Sequence, residues 1–294
     1  MNIAVAGAGK WGSALAHAYS FKNSVIIGSR RERNVKNFVQ ISEVMSSEYI
    51  VMAIPTQFVR EFMDKHFKFS NQKILVAAKG IEVSSGKFLQ DIYEEYLPQE
   101  NIAYLSGPSF AAEVMKSLPT ALVVSSTNLD LAKEWADAMP QFIKAYVDSD
   151  VVGAEVAGAY KNVIAIAAGV CDGLELGNNA RAALTSRGLV EMTRFGKYFG
   201  AKSKTFLSLG GAGDLFLTAS SPLSRNYRVG FGLAKEKSLN TILEELGEVA
   251  EGVVTTKAIV EIGKKEDIYL PIASEVNNLL NGKEPKSSLK DLLS

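Results

Sequence analysis

The chain has few of the side chains that most often mark acid–base catalysis or covalent cross-linking. Among 294 residues there are one cysteine, Cys171, and two histidines, His17 and His66. A lone cysteine forms no internal disulfide and no cysteine cluster for a metal, which points to a reducing compartment. Three such residues, far apart in sequence, offer no zinc-ligand spacing, so no metal is expected. His17 lies in an apolar helical stretch and His66 in DKHFK, and neither setting suits a catalytic imidazole. Net charge is also missing, since Lys plus Arg and Asp plus Glu both number 32. That balance argues against the broad basic surface of a nucleic-acid binder and leaves room for a local anion site. The opening MNIAVAGAG has no basic leader and no cleavage site, and no apolar run approaches the roughly 20 residues of a membrane helix. The expectation is a cytoplasmic protein without membrane insertion or a nucleic-acid partner; assembly as a homodimer is left open.

What is present is an α/β pattern. At about 150 residues per domain the length predicts two domains, and 47% hydrophobic residues with 24 glycines fit packed globular structure. In the first half, Asn2–Ala6, Ser24–Gly28, Tyr49–Ile54, Lys73–Ala78, Asn101–Leu105 and Thr120–Val124 are strand-length and almost continuously apolar. Such runs suit parallel strands covered on both faces, with helices such as Gly12–Phe21 and Gly86–Tyr96 between them. From about Asp150 the strand signals fade and helices are expected over Val151–Val170, Asn179–Phe199, Ser238–Leu246, Val254–Lys264 and Ile272–Leu280. The predicted organisation is therefore a Rossmann-type, mostly parallel sheet domain over residues 1–149, followed by an all-helical domain over 150–294.

The chemistry is expected beyond the carboxyl ends of the parallel strands. Gly7, Gly9 and Gly12 form G-x-G-x-x-G directly after the first strand and at the start of a helix. The first allows the tight turn, the second lets backbone approach a pyrophosphate, and the third lets helix and strand pack closely. About 20 positions on, where an NAD-selective site would carry an acid, the chain reads Ser29, Arg30, Arg31. NADPH or NADH is therefore the expected cofactor, with NADPH preferred. Lys79 and Gly80 follow the fourth of these runs, and Ser106–Phe110, SGPSF, bends the chain after the fifth; a solvated lysine and an ordinary turn are their plain alternatives. In the second half, Ser224–Asn226, SRN, pairs a guanidinium fork with neutral donors suited to phosphate. Asp214, after GGAG, is either a helix N-cap or a carboxylate that orients a cation. Lys161 sits inside AGAYKNVIAIAAG, where an ammonium needs either a route to solvent or a partner.

Taken together, GAGKWG, AAKG, SGPSFAAEV, EVAGAYKNVIAIAAGVCDG, GGAGDL, SRN and EVAEGV (Glu248–Val253) occur in an order and spacing that resembles the bacterial NAD(P)-dependent glycerol-3-phosphate dehydrogenases, over nearly the whole chain. The resemblance implies reversible reduction of dihydroxyacetone phosphate to sn-glycerol 3-phosphate, supplying glycerophospholipid synthesis. It implies Lys161 as the acid in reduction, with Lys79 and Asp214 beside it in catalysis. Lys79, Gly107, Ser109, Lys161, Asp214, Ser224, Arg225 and Asn226 are implied as substrate contacts. Lys10, Trp11, Arg30, Lys79, Ala111, Arg225, Val249 and Glu251 are implied as cofactor contacts, beside the three fingerprint glycines. Gly211 and Tyr160 stand where the family more often has Ala and Leu. Two other readings remain at this point: a β-hydroxyacid dehydrogenase acting on a carboxylate, and a non-enzymatic NADPH sensor.

Overall fold

The computed structural model describes residues 1–247 and 249–288. Its contacts divide the chain into two compact units, one of Met1–Lys79 with Phe88–Ala154, the other of Gly80–Lys87 with the residues from Glu155 on. The division between the units falls within a few residues of the one expected after residue 149, and the short segment after Lys79 belongs with the helical unit.

The first unit is built on a sheet of β1 (Asn2–Ala6), β2 (Ser24–Gly28), β3 (Phe38–Val39), β4 (Tyr49–Met52), β5 (Lys73–Val76), β6 (Ile102–Ser106), β7 (Thr120–Ser125) and β8 (Ile143–Asp148), in the order β3-β2-β1-β4-β5-β6-β7-β8. Helices α1 (Lys10–Tyr19), α2 (Ile41–Met45), α3 (Val59–His66), α4 (Leu89–Tyr93), α5 (Ala111–Val114) and α6 (Leu129–Asp137) connect the strands. Alternate residues of each strand feed opposite faces. Ile3, Val5, Val51 and Leu75 join one core with α1 and α6, while Ala4, Ala6, Ile50, Met52, Ile74 and Val76 join the other with α2, α3 and α4. Burial on both faces is why these strands read as continuous apolar runs.

Two strands escaped the sequence reading. Phe38–Val39 is only a bridge-length pair, and Ile143–Asp148 alternates polar and apolar residues because it lies at the sheet edge. The strand β7 runs antiparallel to β6, whereas every other neighbouring pair is parallel. Only Leu89–Tyr93 of the expected helix Gly86–Tyr96 is helical. Gly86 has a φ of +71°, and the chain becomes helical only where the Asp91 side chain accepts the Phe88 N–H.

The second unit is helical: α7 (Val151–Gly173, its first residues within the first unit), α8 (Gly177–Tyr198), α9 (Ser203–Phe206), α10 (Asp214–Ala219), α11 (Arg225–Ala234), α12 (Leu239–Leu246), α13 (Glu251–Lys265) and α14 (Pro271–Leu280). Its axis is α7, and this helix corrects the expectation that no run approaches membrane length. It has 23 residues, and its most apolar 18-residue window has a mean hydropathy of 1.3, enough to cross a bilayer by length and composition alone. Yet 94% of that window is buried inside the protein. Small residues and the interior Glu155 and Lys161 masked its continuity in the sequence.

The stretch Arg225–Ala234 was not expected to be helical, since Gly230 and Gly232 lower its propensity. Packing reverses that preference. A Cβ on Gly230 would lie 1.8 Å from the Ile166 carbonyl oxygen, and one on Gly169 would lie 2.0 Å from the Tyr227 carbonyl oxygen, so α7 and α11 touch backbone to backbone. In an exposed helix Gly→Ala gains up to about 1 kcal/mol. At Gly230 overpacking outweighs that gain, and Gly230→Ala is expected to lose about 1–3 kcal/mol net, lowering Tm by several degrees. Thermal unfolding checks this, and an unchanged Tm would mean that the two helices are not held this closely.

Candidate functional site

The site residues expected from the sequence fall into two groups, one in each unit. In the first unit the strand order turns at β1: β2 and β3 extend to one side and β4 onward to the other, so the loop after β1 lies at the switch point where such sheets take ligands. Gly7 has a φ of +113°, and a Cβ there would lie 2.5 Å from the Ala53 carbonyl oxygen. At Gly12 a Cβ would lie 1.8 Å from the Gly7 carbonyl oxygen. Both glycines are demanded by the chain itself. Gly9 is different: its φ is −81°, it is exposed, and nothing in the chain lies within 4 Å of a Cβ built there. A side chain at Gly9 would instead stand in the open space over the start of α1, where backbone N–H groups favour a pyrophosphate. The cradle therefore fits a dinucleotide.

The other expected residues of this unit line the same edge of the sheet. Lys10 is exposed at the first position of α1. Trp11 donates its indole N–H to the Ala77 carbonyl at 3.1 Å, which ties the start of α1 to the end of β5 and gives Trp11 a structural task. Arg30 follows β2, whose Gly28 carbonyl accepts the Gly7 N–H at 2.7 Å. The Arg30 guanidinium lies 5.5 Å over the Phe58 ring, with a terminal nitrogen 3.8 Å from the Glu61 carboxylate. Lys79 follows β5, half-buried, and its carbonyl accepts the Thr56 hydroxyl at 3.1 Å. After β6, Gly107 has a φ of +106° and its carbonyl accepts the Ser109 hydroxyl at 3.1 Å; Ala111 then opens α5.

In the helical unit Lys161 is 8% exposed, and its ammonium is paired inside the protein rather than snorkelled to the surface. It donates to Asp214 Oδ1 at 2.5 Å and to Thr218 Oγ1 at 2.9 Å. The Thr218 hydroxyl in turn donates to the Asp214 carbonyl at 2.7 Å. Asp214 is 1% exposed. It is the first residue of α10 rather than its N-cap, because GGAG forms a π-helical turn, Leu209–Gly213, that runs straight into the helix. The carboxylate is thus committed to the cation. Thr218 went unnoticed in the sequence, although D-x-x-x-T places both oxygens on one face once Asp214 is known to be helical.

Nearby in the same unit, the SRN segment starts α11. Ser224 is the N-cap and accepts the Tyr227 N–H at 3.3 Å, Arg225 is exposed, and Asn226 is buried. Asn226 Oδ1 accepts the Gly252 N–H at 2.9 Å, which commits the amide oxygen to the start of α13. A Cβ on Gly252 would lie 2.6 Å from that oxygen and 3.0 Å from the Asn162 carbonyl oxygen, so α13 begins against both α7 and α11. Glu251 is the first residue of α13 and Val249 is 52% exposed, while Glu248 of EVAEGV lies outside the described residues. Within the SRN segment the exposed Arg225 is thus followed by Asn226, whose amide oxygen is fixed by Gly252. Such a start of a helix accepts an anion. Among the described residues no group of three or more His, Cys, Asp or Glu side chains could hold a metal ion.

The comparisons with known proteins agree with this geometry. The family described as NAD-dependent glycerol-3-phosphate dehydrogenase matches through its N-terminus over residues 22–132 and through its C-terminus over residues 150–290. The chain is 61% identical over 292 residues to a glycerol-3-phosphate dehydrogenase (NAD(P)+) of Sulfurimonas denitrificans, with 99% of each chain covered. It is 59% identical over 293 residues to the corresponding protein of Nitratiruptor sp., covering 100% of this chain and 98% of the relative. The crystal structure of glycerol-3-phosphate dehydrogenase from Coxiella burnetii superposes with a TM-score of 0.91 at 30% identity, covering 100% of this chain and 98% of that one. With both halves matched and the relatives aligned from end to end, the chain belongs to the family of NAD-dependent glycerol-3-phosphate dehydrogenases.

Proposed function

We propose that this chain reduces dihydroxyacetone phosphate reversibly to sn-glycerol 3-phosphate, preferring NADPH over NADH and supplying glycerophospholipid synthesis in the cytoplasm, with Lys161 as the acid. The observation that carries the reading is the buried ammonium of Lys161 on the largely apolar helix α7, held by Asp214 and Thr218. The names of the relatives support the substrate.

Gly7, Gly9, Lys10, Trp11 and Gly12 would hold the dinucleotide, with Arg30 toward the adenosine end and Ala111, Val249 and Glu251 as further contacts. When bound, the nicotinamide supplies hydride to the ketone carbon. Lys161 stabilises the negative charge growing on the ketone oxygen and passes a proton to it, which is worth most in a water-excluded site. Asp214 and Thr218 fix the direction of the ammonium, since each accepts one of its N–H groups. Lys79, with Gly107 and Ser109, adds positive potential and donors. Arg225 takes the phosphate as a fork, aided by the Asn226 amide N–H groups and the first N–H groups of α11. Binding energy at the phosphate then fixes the position of the reacting carbon.

Three outcomes are expected. Lys161→Met keeps the apolar stem and removes the proton donor, so kcat falls about 100-fold or more while the Kd for NADPH changes little; steady-state kinetics and a fluorescence titration check it, and near-normal turnover would remove Lys161 from the chemistry. Arg225→Ala loses about 2–5 kcal/mol in kcat/KM for dihydroxyacetone phosphate and much less for dihydroxyacetone; equal losses on both would assign the arginine to the cofactor or the fold. Arg30→Ala, measured with both cofactors at fixed ionic strength, raises KM for NADPH and leaves NADH nearly unchanged. Glu61 beside Arg30 competes with a 2′-phosphate, so the wild-type preference is graded rather than strict. A wild-type preference for NADH would refute this assignment of Arg30.

A further inference from the structure

Outside the site just described, the most unusual group in the helical unit is Glu191, a carboxylate only 2% exposed on α8. Its neighbours Leu184, Gly188 and Phe195 lie along the same face of α8, which is the buried face, so an acid there is out of keeping with the pattern. Three donors converge on it. The Tyr160 hydroxyl donates to Oε1 at 2.7 Å, the Ala273 N–H donates to Oε1 at 2.8 Å, and the Ile272 N–H donates to Oε2 at 2.8 Å.

The two backbone donors belong to the first turn of α14. Pro271 at its start has no N–H, so Ile272 and Ala273 present the next N–H groups left without an intrahelical partner, and the carboxylate meets both. A negative charge is also favourable at that end of a helix. Burial pushes the Glu191 carboxyl upward from its usual range, and the two N–H groups, the Tyr160 hydroxyl and the Arg194 guanidinium oppose that shift. The Tyr160 hydroxyl is pushed well above its ordinary value by burial and by Glu191, so it stays a donor.

Tyr160 is the residue before Lys161 on α7. Its ring is fully buried and packs against Phe195, with centroids 5.4 Å apart, while Ile164 one turn later meets Gly188. Around Glu191 the contact between α7 and α8 is thus apolar, and it becomes polar again only toward the end of α7, where Asp172 pairs with Arg181 of α8 at 2.5 Å. Apolar packing alone gives contact with little direction, and a well-packed hydrophobic substitute for a buried charge is often as stable. What a carboxylate with three aimed donors adds is a fixed rotation of α7 about its own axis.

We infer that Glu191 is a positioning residue for Lys161: by holding the Tyr160 hydroxyl to the start of α14, it fixes the roll of α7 and hence the direction in which the lysine leaves that helix. The inference rests on the reading of Lys161 as the acid. An ammonium about 8 Å from the helix axis moves about 1.4 Å for a roll of about 10°, and a misplacement of about 1 Å at a reacting centre costs up to about 100-fold in rate. The bonds to Asp214 and Thr218 resist such a shift, so the expected effect is smaller than that limit.

The test compares wild type, Tyr160→Phe, Glu191→Gln, the double variant and Lys161→Met, each measured for kcat, for KM of both substrates and for Tm. Tyr160→Phe removes one oxygen, leaves Glu191 its two backbone donors and is the variant least prone to misfolding. Its kcat is expected to fall about 5- to 20-fold with both KM values within about twofold of wild type, and Glu191→Gln is expected to add little more in the Tyr160→Phe background. A folded Tyr160→Phe with wild-type kcat beside an inactive Lys161→Met overturns the role of Glu191 and leaves the acid in place. Losses that track Tm or that fall on KM make the carboxylate a structural clasp only, which also overturns it. Full turnover in Lys161→Met sinks the reading of the acid itself, and this inference with it.

Discussion

The helical unit depends on one requirement: an ammonium group in the middle of a buried apolar helix has to be matched. Removing a lysine from water without a partner costs several kcal/mol, and the same holds for the aspartate that meets it. Lys161 and Asp214 are 53 residues apart and both nearly inaccessible, so neither is tolerable unless α10 starts where it does. That requirement explains local features that look unrelated in the sequence. The π-helical turn over Leu209–Gly213 delivers Asp214 in helical conformation, and Thr218 one turn later closes the group by accepting from the lysine and donating to the Asp214 carbonyl.

The rest of that unit is arranged around the same helix. Backbone contact between α7 and α11 at Gly169 and Gly230 sets where α11 runs, and α13 begins against Asn162 and Asn226 because Gly252 has no side chain to hold it away. Under the proposed function, Asn226 divides structural and binding duties within one side chain. Its oxygen is committed to Gly252, and only its amide N–H groups remain to meet an anion. Substituting such a residue therefore disturbs packing and the proposed binding together, whereas Arg225 stands exposed at the first position of α11.

The first unit solves a different problem. A parallel sheet covered on both faces leaves only its strand ends for function, and the loops after β1, β2, β5 and β6 collect there. Gly7 and Gly12 are required by close contacts within the chain, while nothing in the chain requires a glycine at Gly9. The same six-residue stretch thus separates folding constraints from the one position that a ligand explains.

The sequence by itself determined six of the eight strands, the long helices and the glycine loop. Each is written in local periodicity or in a motif whose residues are neighbours along the chain, as in Asn2–Ala6 and Ser24–Gly28, whose bounds agree with the strands residue for residue. It also singled out Lys161, a charge in an apolar run, and Asp214, an acid directly after the glycines of GGAG. It did not decide between snorkelling and pairing for Lys161, or between capping and pairing for Asp214, since those outcomes turn on residues more than 50 positions away. Thr218, the helix at Arg225–Ala234 and the meeting of Glu191 with Tyr160 and α14 were decided by tertiary structure alone. Their local signals are weak or contrary: glycines inside a helix, a threonine in an unremarkable run, an acid on an apolar face. What makes each of them favourable is the atom supplied by a distant segment, and periodicity within one segment carries no information about that atom.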